Sequence, residues 1–174
     1  MSFWTQLYQR WSRPSGRRSA GNRLSAWRPV LELLESRWLP TTFLVTTHGD
    51  SGAGSLRQAI LDSNATPGSN VIDFAILSGP NPQTISPVSG LPAIQNNPVF
   101  IDGTSQPGYA GTPVIKLDGT NAGAASGLVF FIGNCTVSGL AIVNFQQDGI
   151  LLDAGNDMIA GNYLGVDTDG NTPA

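Results

Sequence analysis

The chain has one cysteine, one histidine and little charge over its 174 residues. The lone Cys135 excludes an internal disulfide and a cysteine-based zinc site. The lone His48 is the only imidazole that could serve as a catalytic base. Long apolar runs are also missing. The first 30 residues lack the continuous apolar core of about 7–15 residues that a secretory signal needs, and no stretch reads as a transmembrane span. Arg17-Arg18 is followed by "SAGNRLS", too polar for a twin-arginine export signal of the usual form. Beyond position 40 only Arg57 and Lys116 are basic, against ten acidic residues, which argues against nucleic-acid binding by the body.

What the chain does have is glycine (21), proline (12) and recurring clusters of Val, Ile, Leu and Phe. This is poor material for helices and good material for short strands and tight turns around one core. Arg10, Arg13, Arg17, Arg18, Arg23, Arg28 and Arg37 set off a basic leader, residues 1–40, from an acidic body. Within it Trp4, Tyr8 and Trp11 share a helical face beside Arg10 and Arg13. That pattern suits either a helix lying on an anionic membrane or a disordered tail; mostly disordered is the expectation. Leu34-Glu35-Ser36-Arg37-Trp38-Leu39 resembles the Leu-Glu-Pro-Arg-x-Leu-Leu motif near the N-terminus of large bacterial surface proteins, with Ser36 in place of Pro and Pro40 in place of the last Leu. The resemblance implies export.

"HGDSGAGSLRQAI", residues 48–60, contains the Gly-Asp-Ser-Gly of a serine-protease nucleophile loop. A protease triad brings its histidine and serine together from distant parts of the chain. Here His48 lies three residues before Ser51 in one Gly-rich turn, and Ala53 replaces the motif's second glycine. Ser51 is therefore read as a turn residue. Ser55 and Gln58 then form a capping box, followed by an apolar stripe of Leu56, Ala59, Ile60 and Ser63 at helical spacing. Asn64 to Gly68 stops the helix, and "NVIDFAI" sets Ile72, Phe74 and Ile76 against Val71, Asp73 and Ala75 in strand alternation.

Residues 42–77 resemble the bacterial N-terminal module named for its Cys-Ser-Leu-Arg-Glu-Ala run, the CSLREA-type module. Ser55, Leu56, Arg57 and Ala59 match it, while Gly54 replaces Cys and Gln58 replaces Glu. In that family the segment precedes a right-handed parallel β-helix, which implies a short helix capping such a fold.

An internal repeat relates 127–148 to 149–170. Gly127 meets Gly149, Gly133 meets Gly155, Asn134 meets Asn156 and Gly139 meets Gly161. Apolar positions fall in phase as well: Leu128/Ile150, Val129/Leu151, Phe130/Leu152, Val137/Ile159 and Ile142/Leu164. Stacked about 4.8 Å apart, such units would form apolar columns and an Asn134–Asn156 amide ladder. "VFIDGT" (99–104) and "VIKLDGT" (114–120) read as earlier units, and five prolines make 79–98 irregular or confine it to short edge segments.

The β-helix class includes pectate lyases and polygalacturonases, so every candidate for catalysis matters. Arg57 lies on the capping helix and Lys116 within a strand, neither placed as a lyase base. Asp148, Asp153 and Asp157 cluster in sequence, yet turns use aspartate anyway. "DTDGN" (167–171) has its glycine too early for an EF-hand loop and reads as a turn. "NAT" (64–66) fits a glycosylation acceptor but is followed by Pro67. No catalytic, cofactor-binding or metal-binding residue is assigned, and no cofactor is expected.

These readings converge on an all-β chain, a right-handed parallel β-helix of the pectate-lyase-like kind. Residues 1–40 form the leader, 41–78 a strand–helix–strand cap and 79–174 the repeating units. "GVDTDGNTPA" stops inside a unit, so the expectation is the N-terminal part of a longer protein. The function expected is a non-catalytic structural or adhesive segment of an exported bacterial cell-surface protein, binding polysaccharide or other surface proteins. Self-association through an open end is expected too. The alternative is a polysaccharide lyase or glycoside hydrolase of the β-helix class.

Overall fold

The computed structural model describes residues 39–174. The readings made above for the leader, including its membrane-surface pattern and most of the surface-protein motif, lie outside the described residues. Eleven short strands follow in chain order: β1 (Thr41–Val45), β2 (Asn70–Phe74), β3 (Gln83–Ile85), β4 (Val99–Asp102), β5 (Ile115–Asp118), β6 (Leu128–Phe130), β7 (Thr136–Ser138), β8 (Leu140–Val143), β9 (Ile150–Leu152), β10 (Met158–Ala160) and β11 (Tyr163–Leu164). One α-helix, α1 (Leu56–Ala65), lies between β1 and β2. The strands form three sheets, in the orders β1-β2-β4-β7-β10, β11-β8-β5-β3 and β6-β9, and every strand pair is parallel.

This corrects the fold expected from the sequence. Among the described residues the fold is an α/β-like arrangement of short parallel strands in three sheets plus a helix, at 12% helix and 31% strand, and the expected all-β right-handed parallel β-helix is not shown. The helix is part of the core: Leu56, Ala59, Ile60 and Ser63 are buried, and the three apolar ones pack with strand residues such as Val45, Ile72 and Phe74. The misreading has a physical source. A sequence period reports which residues meet in parallel register, and any set of parallel sheets meets that condition.

The register itself follows the repeat. Leu128 pairs with Ile150, Val137 with Ile159 and Ile142 with Leu164, the same partners that the repeat aligns. Inward-facing side chains stack into columns such as Ile72–Ile101–Val137 and Ile85–Leu117–Ile142, all nearly inaccessible. One layer later the burial is lost. Leu152, Ile159 and Leu164 are 41%, 36% and 49% exposed, whereas Phe130, Val137 and Ile142 are at 0–1%.

Two Asp-Gly-Thr corners turn the chain after β4 and β5. Asp102 Oδ1 accepts from the Thr104 N–H (2.9 Å) and hydroxyl (2.6 Å), and Asp118 Oδ1 does the same with Thr120 (3.0 and 2.6 Å), each capping a one-turn 3₁₀ helix. At the Gly133/Gly155 corner Asn134 and Asn156 adopt the left-handed conformation, with φ of 62° and 65°. The expected amide ladder between them is absent among the described residues. The backbone closes the corner instead, with the Asn134 N–H donating to the Gly155 carbonyl at 3.2 Å.

Helix α1 begins as the sequence indicates, with the Gln58 N–H donating to Ser55 Oγ at 3.2 Å. The reciprocal half of the capping box does not form. Gln58 Nε2 reaches Asp62 (2.8 Å), and the Ser55 N–H is taken by the Gly52 carbonyl (3.1 Å). At the other end, asparagines serve the carbonyls that the last turn leaves free. Asn70 Nδ2 donates to Ser63 and Thr66, and Asn97 Nδ2 to Ser63 and Asn64.

Candidate functional site

The sequence singled out several polar residues, and the structure keeps them apart. Ser51 is exposed, and His48 Nδ1 lies 3.4 Å from the Ser78 hydroxyl instead. Asp148 and Asp153 are exposed, while Asp157 Oδ1 accepts from the Cys135 N–H at 2.8 Å. No group of three or more His, Cys, Asp or Glu side chains is placed to hold a metal among the described residues. Asp169 accepts from the Thr172 hydroxyl and N–H and from the Asn171 N–H, which holds its carboxyl down at about 2 and makes "DTDGN" a self-satisfied turn. Asn64 Nδ2 donates to the Ala93 carbonyl (2.8 Å) and its Oδ1 accepts from the Gln95 N–H (3.1 Å), so the amide a glycan would need is already engaged. Burial pushes the Cys135 thiol up, away from a reactive thiolate.

Arg57 has a structural task. Its guanidinium donates to the Asp50 carboxylate (2.7 Å) and to the carbonyls of Gly90 (2.7 Å) and Ser89 (2.9 Å), tying α1 to two loops. Asp50 is held below the usual carboxylate range, chiefly by this hydrogen bond. Lys116 pairs with Asp167 at 3.0 Å. Both basic side chains that follow position 40 are therefore committed to ion pairs.

The arrangement with binding character lies on the outer face of the first sheet. Alternation along each strand turns residues two apart to the same side. Parallel register then lines up two columns across β2, β4 and β7: Val71–Phe100–Thr136 and, beside it, Asp73–Asp102–Ser138. All six residues are half-buried, presenting part of each side chain to solvent. A shallow cavity of about 150 Å³ adjoins the first column, lined by Pro40, Val71, Pro98, Phe100, Asn134 and Thr136.

The second column is electrostatically uneven. Asp102 Oδ1, besides serving its corner, accepts from the Ser138 hydroxyl at 3.1 Å. Asp73 has no side-chain hydrogen bond among the described residues, and desolvation, aided by the facing charge of Asp102, raises its carboxyl above the usual value. A group whose folded pKa is raised favours the fold below its unfolded pKa and loses that contribution as pH rises through the folded value. Asp73→Asn is therefore expected to raise the melting temperature slightly at neutral pH. The gain should vanish below about pH 4, where the unfolded carboxyl is itself protonated. Thermal unfolding of both proteins across a pH series checks this.

The sequence alternation "NVIDF" placed Val71 and Asp73 on the face opposite Ile72 and Phe74. It did not show that Phe100, Asp102, Thr136 and Ser138 lie next to them. The step along the chain from Ile72 to Ile101 differs from the step from Ile101 to Val137, and neither equals the step from Val137 to Ile159 that the repeat contains. The recurring "DGT" marks the ends of β4 and β5, which belong to different sheets, and so carries no signal of this neighbourhood.

No protein-family model matches the chain, and no curated protein matches it. No helix is long and apolar enough to cross a membrane among the described residues.

Proposed function

We propose that this chain is a non-catalytic, glycan-binding adhesive segment of an exported bacterial surface protein, with the outer face of its first sheet as the contact surface. One observation carries the reading: Val71–Phe100–Thr136 stands in register beside Asp73–Asp102–Ser138. The apolar face of a sugar ring covers an aromatic side chain, while its hydroxyls need nearby acceptors and donors. The two columns supply both within one flat patch. Export is supported by the resemblance of Leu34-Glu35-Ser36-Arg37-Trp38-Leu39 to the motif near the N-terminus of large bacterial surface proteins. The second reading, a polysaccharide lyase or glycoside hydrolase, is told from this one by release of sugar ends from a polysaccharide. Other surface proteins, and a second copy meeting the layer of Leu152, Ile159 and Leu164, are further partners on this reading.

Titration of the protein against a panel of soluble bacterial and plant polysaccharides tests it. Binding without release of reducing ends is expected. Phe100→Ala should weaken that binding by about tenfold or more, the loss of one well-packed aromatic contact, with little change in melting temperature. Wild-type affinity in the Phe100→Ala protein would overturn the assignment of this face.

A further inference from the structure

Charge on this face narrows the class of sugar. Asp73 and Asp102 are register partners on adjacent strands, so their backbones lie one strand spacing apart, about 4.8 Å. Asp102 is held by Thr104 and Ser138, whereas Asp73 carries no partner among the described residues. The cavity beside the Val71–Phe100–Thr136 column has no charged residue in its wall. Arg57 and Lys116 are paired with Asp50 and Asp167 and belong to other surfaces. An anionic sugar such as a uronate would therefore meet carboxylates with no cation to balance it. A cationic one would meet two carboxylates, one of them uncommitted.

Phe100 and Asp73 are diagonal neighbours on adjacent strands, about 7–8 Å apart at the backbone, a span that two side chains and one sugar ring bridge. Phe100 and Asp102 are two residues apart on one strand, about 6.6 Å, and Asp73 is next to Asp102 on β2. A pyranose lying over Phe100 brings a ring substituent to the acidic column, where Asp73 stands one strand over from Asp102. An ammonium substituent there donates charge-assisted hydrogen bonds to Asp73, the strongest polar contact this face can offer.

We propose that the outer face of the first sheet binds polymers of amino sugars whose amino groups are free, with the ring on Phe100 and the ammonium on Asp73. This rests on the glycan-binding reading, and its test separates the two. Four probes are titrated calorimetrically at low salt and mildly acidic pH: a glucosamine hexamer, its fully N-acetylated counterpart, a galacturonate hexamer and hexalysine. The glucosamine hexamer should bind about tenfold or more tightly than the acetylated one, the worth of a hydrogen bond to a charged group, and the galacturonate should not bind. Asp73→Asn should abolish the preference, bringing the glucosamine hexamer down to the affinity of the acetylated one. Phe100→Ala should weaken both glucosamine-based probes together.

Equal or tighter binding of the acetylated hexamer overturns the amino-sugar inference and leaves the glycan reading standing. Equal binding of hexalysine shows that the face reads positive charge alone, which overturns the inference as well. Preference retained in Asp73→Asn overturns the placement of the ammonium. Absence of binding by all three sugars, extended to the polysaccharide panel, overturns both.

Discussion

Phe130→Ala is expected to lower the free energy of unfolding by about 3–5 kcal/mol, the cost of truncating a fully enclosed aromatic side chain. Phe130 is 0% exposed in β6, with Leu152 of β9 as its register partner and Ile94 bridged to it on the other side. Removing the ring leaves a void between backbones fixed by hydrogen bonds from Phe131 to Ile94 and from Asp153 to Phe130, so collapse is restricted. Its neighbour Phe131 is 52% exposed and provides the control. Phe131→Ala should stay within about 0.5 kcal/mol, as surface substitutions do. Urea unfolding of both variants measures the difference, and similar losses for the two would contradict the burial assigned to Phe130.

Gly139→Ala should cost about 2–4 kcal/mol, from conformation and crowding together. The residue has φ of +69°, where a Cβ is disfavoured by about 1–2 kcal/mol. A Cβ there would also lie 2.7 Å from Thr104 Cγ2 and 2.8 Å from the Thr104 N–H nitrogen, crowding the Asp-Gly-Thr corner below. Gly161 occupies the equivalent position in the next unit, with φ of +66° and nothing near its Cβ position. Gly161→Ala should therefore show the conformational cost alone. The gap between the two variants isolates the contact between layers, and denaturant midpoints read it. Equal losses would mean that the corners do not pack as described.

Local features were legible in the residues because local chemistry decides them. Ser55 caps α1 through its own hydroxyl, and the stripe Leu56, Ala59, Ile60 and Ser63 is the face that is buried. "NVIDFAI" buries Ile72, Phe74 and Ile76. The shared phase of Gly139 and Gly161, or of Ile142 and Leu164, reflects a register that demands equivalent residues at equivalent places.

What the residues withheld is the non-local part. Three sheets and a core helix satisfy the same period as a single winding, so the all-β class did not follow from it. The binding face escaped for a related reason. Val71, Phe100 and Thr136 come from segments separated by an irregular proline-containing stretch and by an intervening sheet, and nothing in their spacing ties them together. Arg57 hid differently: its partners are mainly backbone carbonyls, which carry no sequence signature.

The offset shared by the last three strand pairs makes the length of this region discrete. Losing a single position between β7 and β10 would slide Ile159 away from Val137 and turn the next strand's apolar side chains outward, because strand faces alternate with a period of two. Losing one complete unit would remove one rung and leave every remaining pair in step. Within this last region, changes of length that keep the register should therefore come as whole units, whereas the unequal steps between β2, β4 and β7 show loops absorbing other lengths elsewhere.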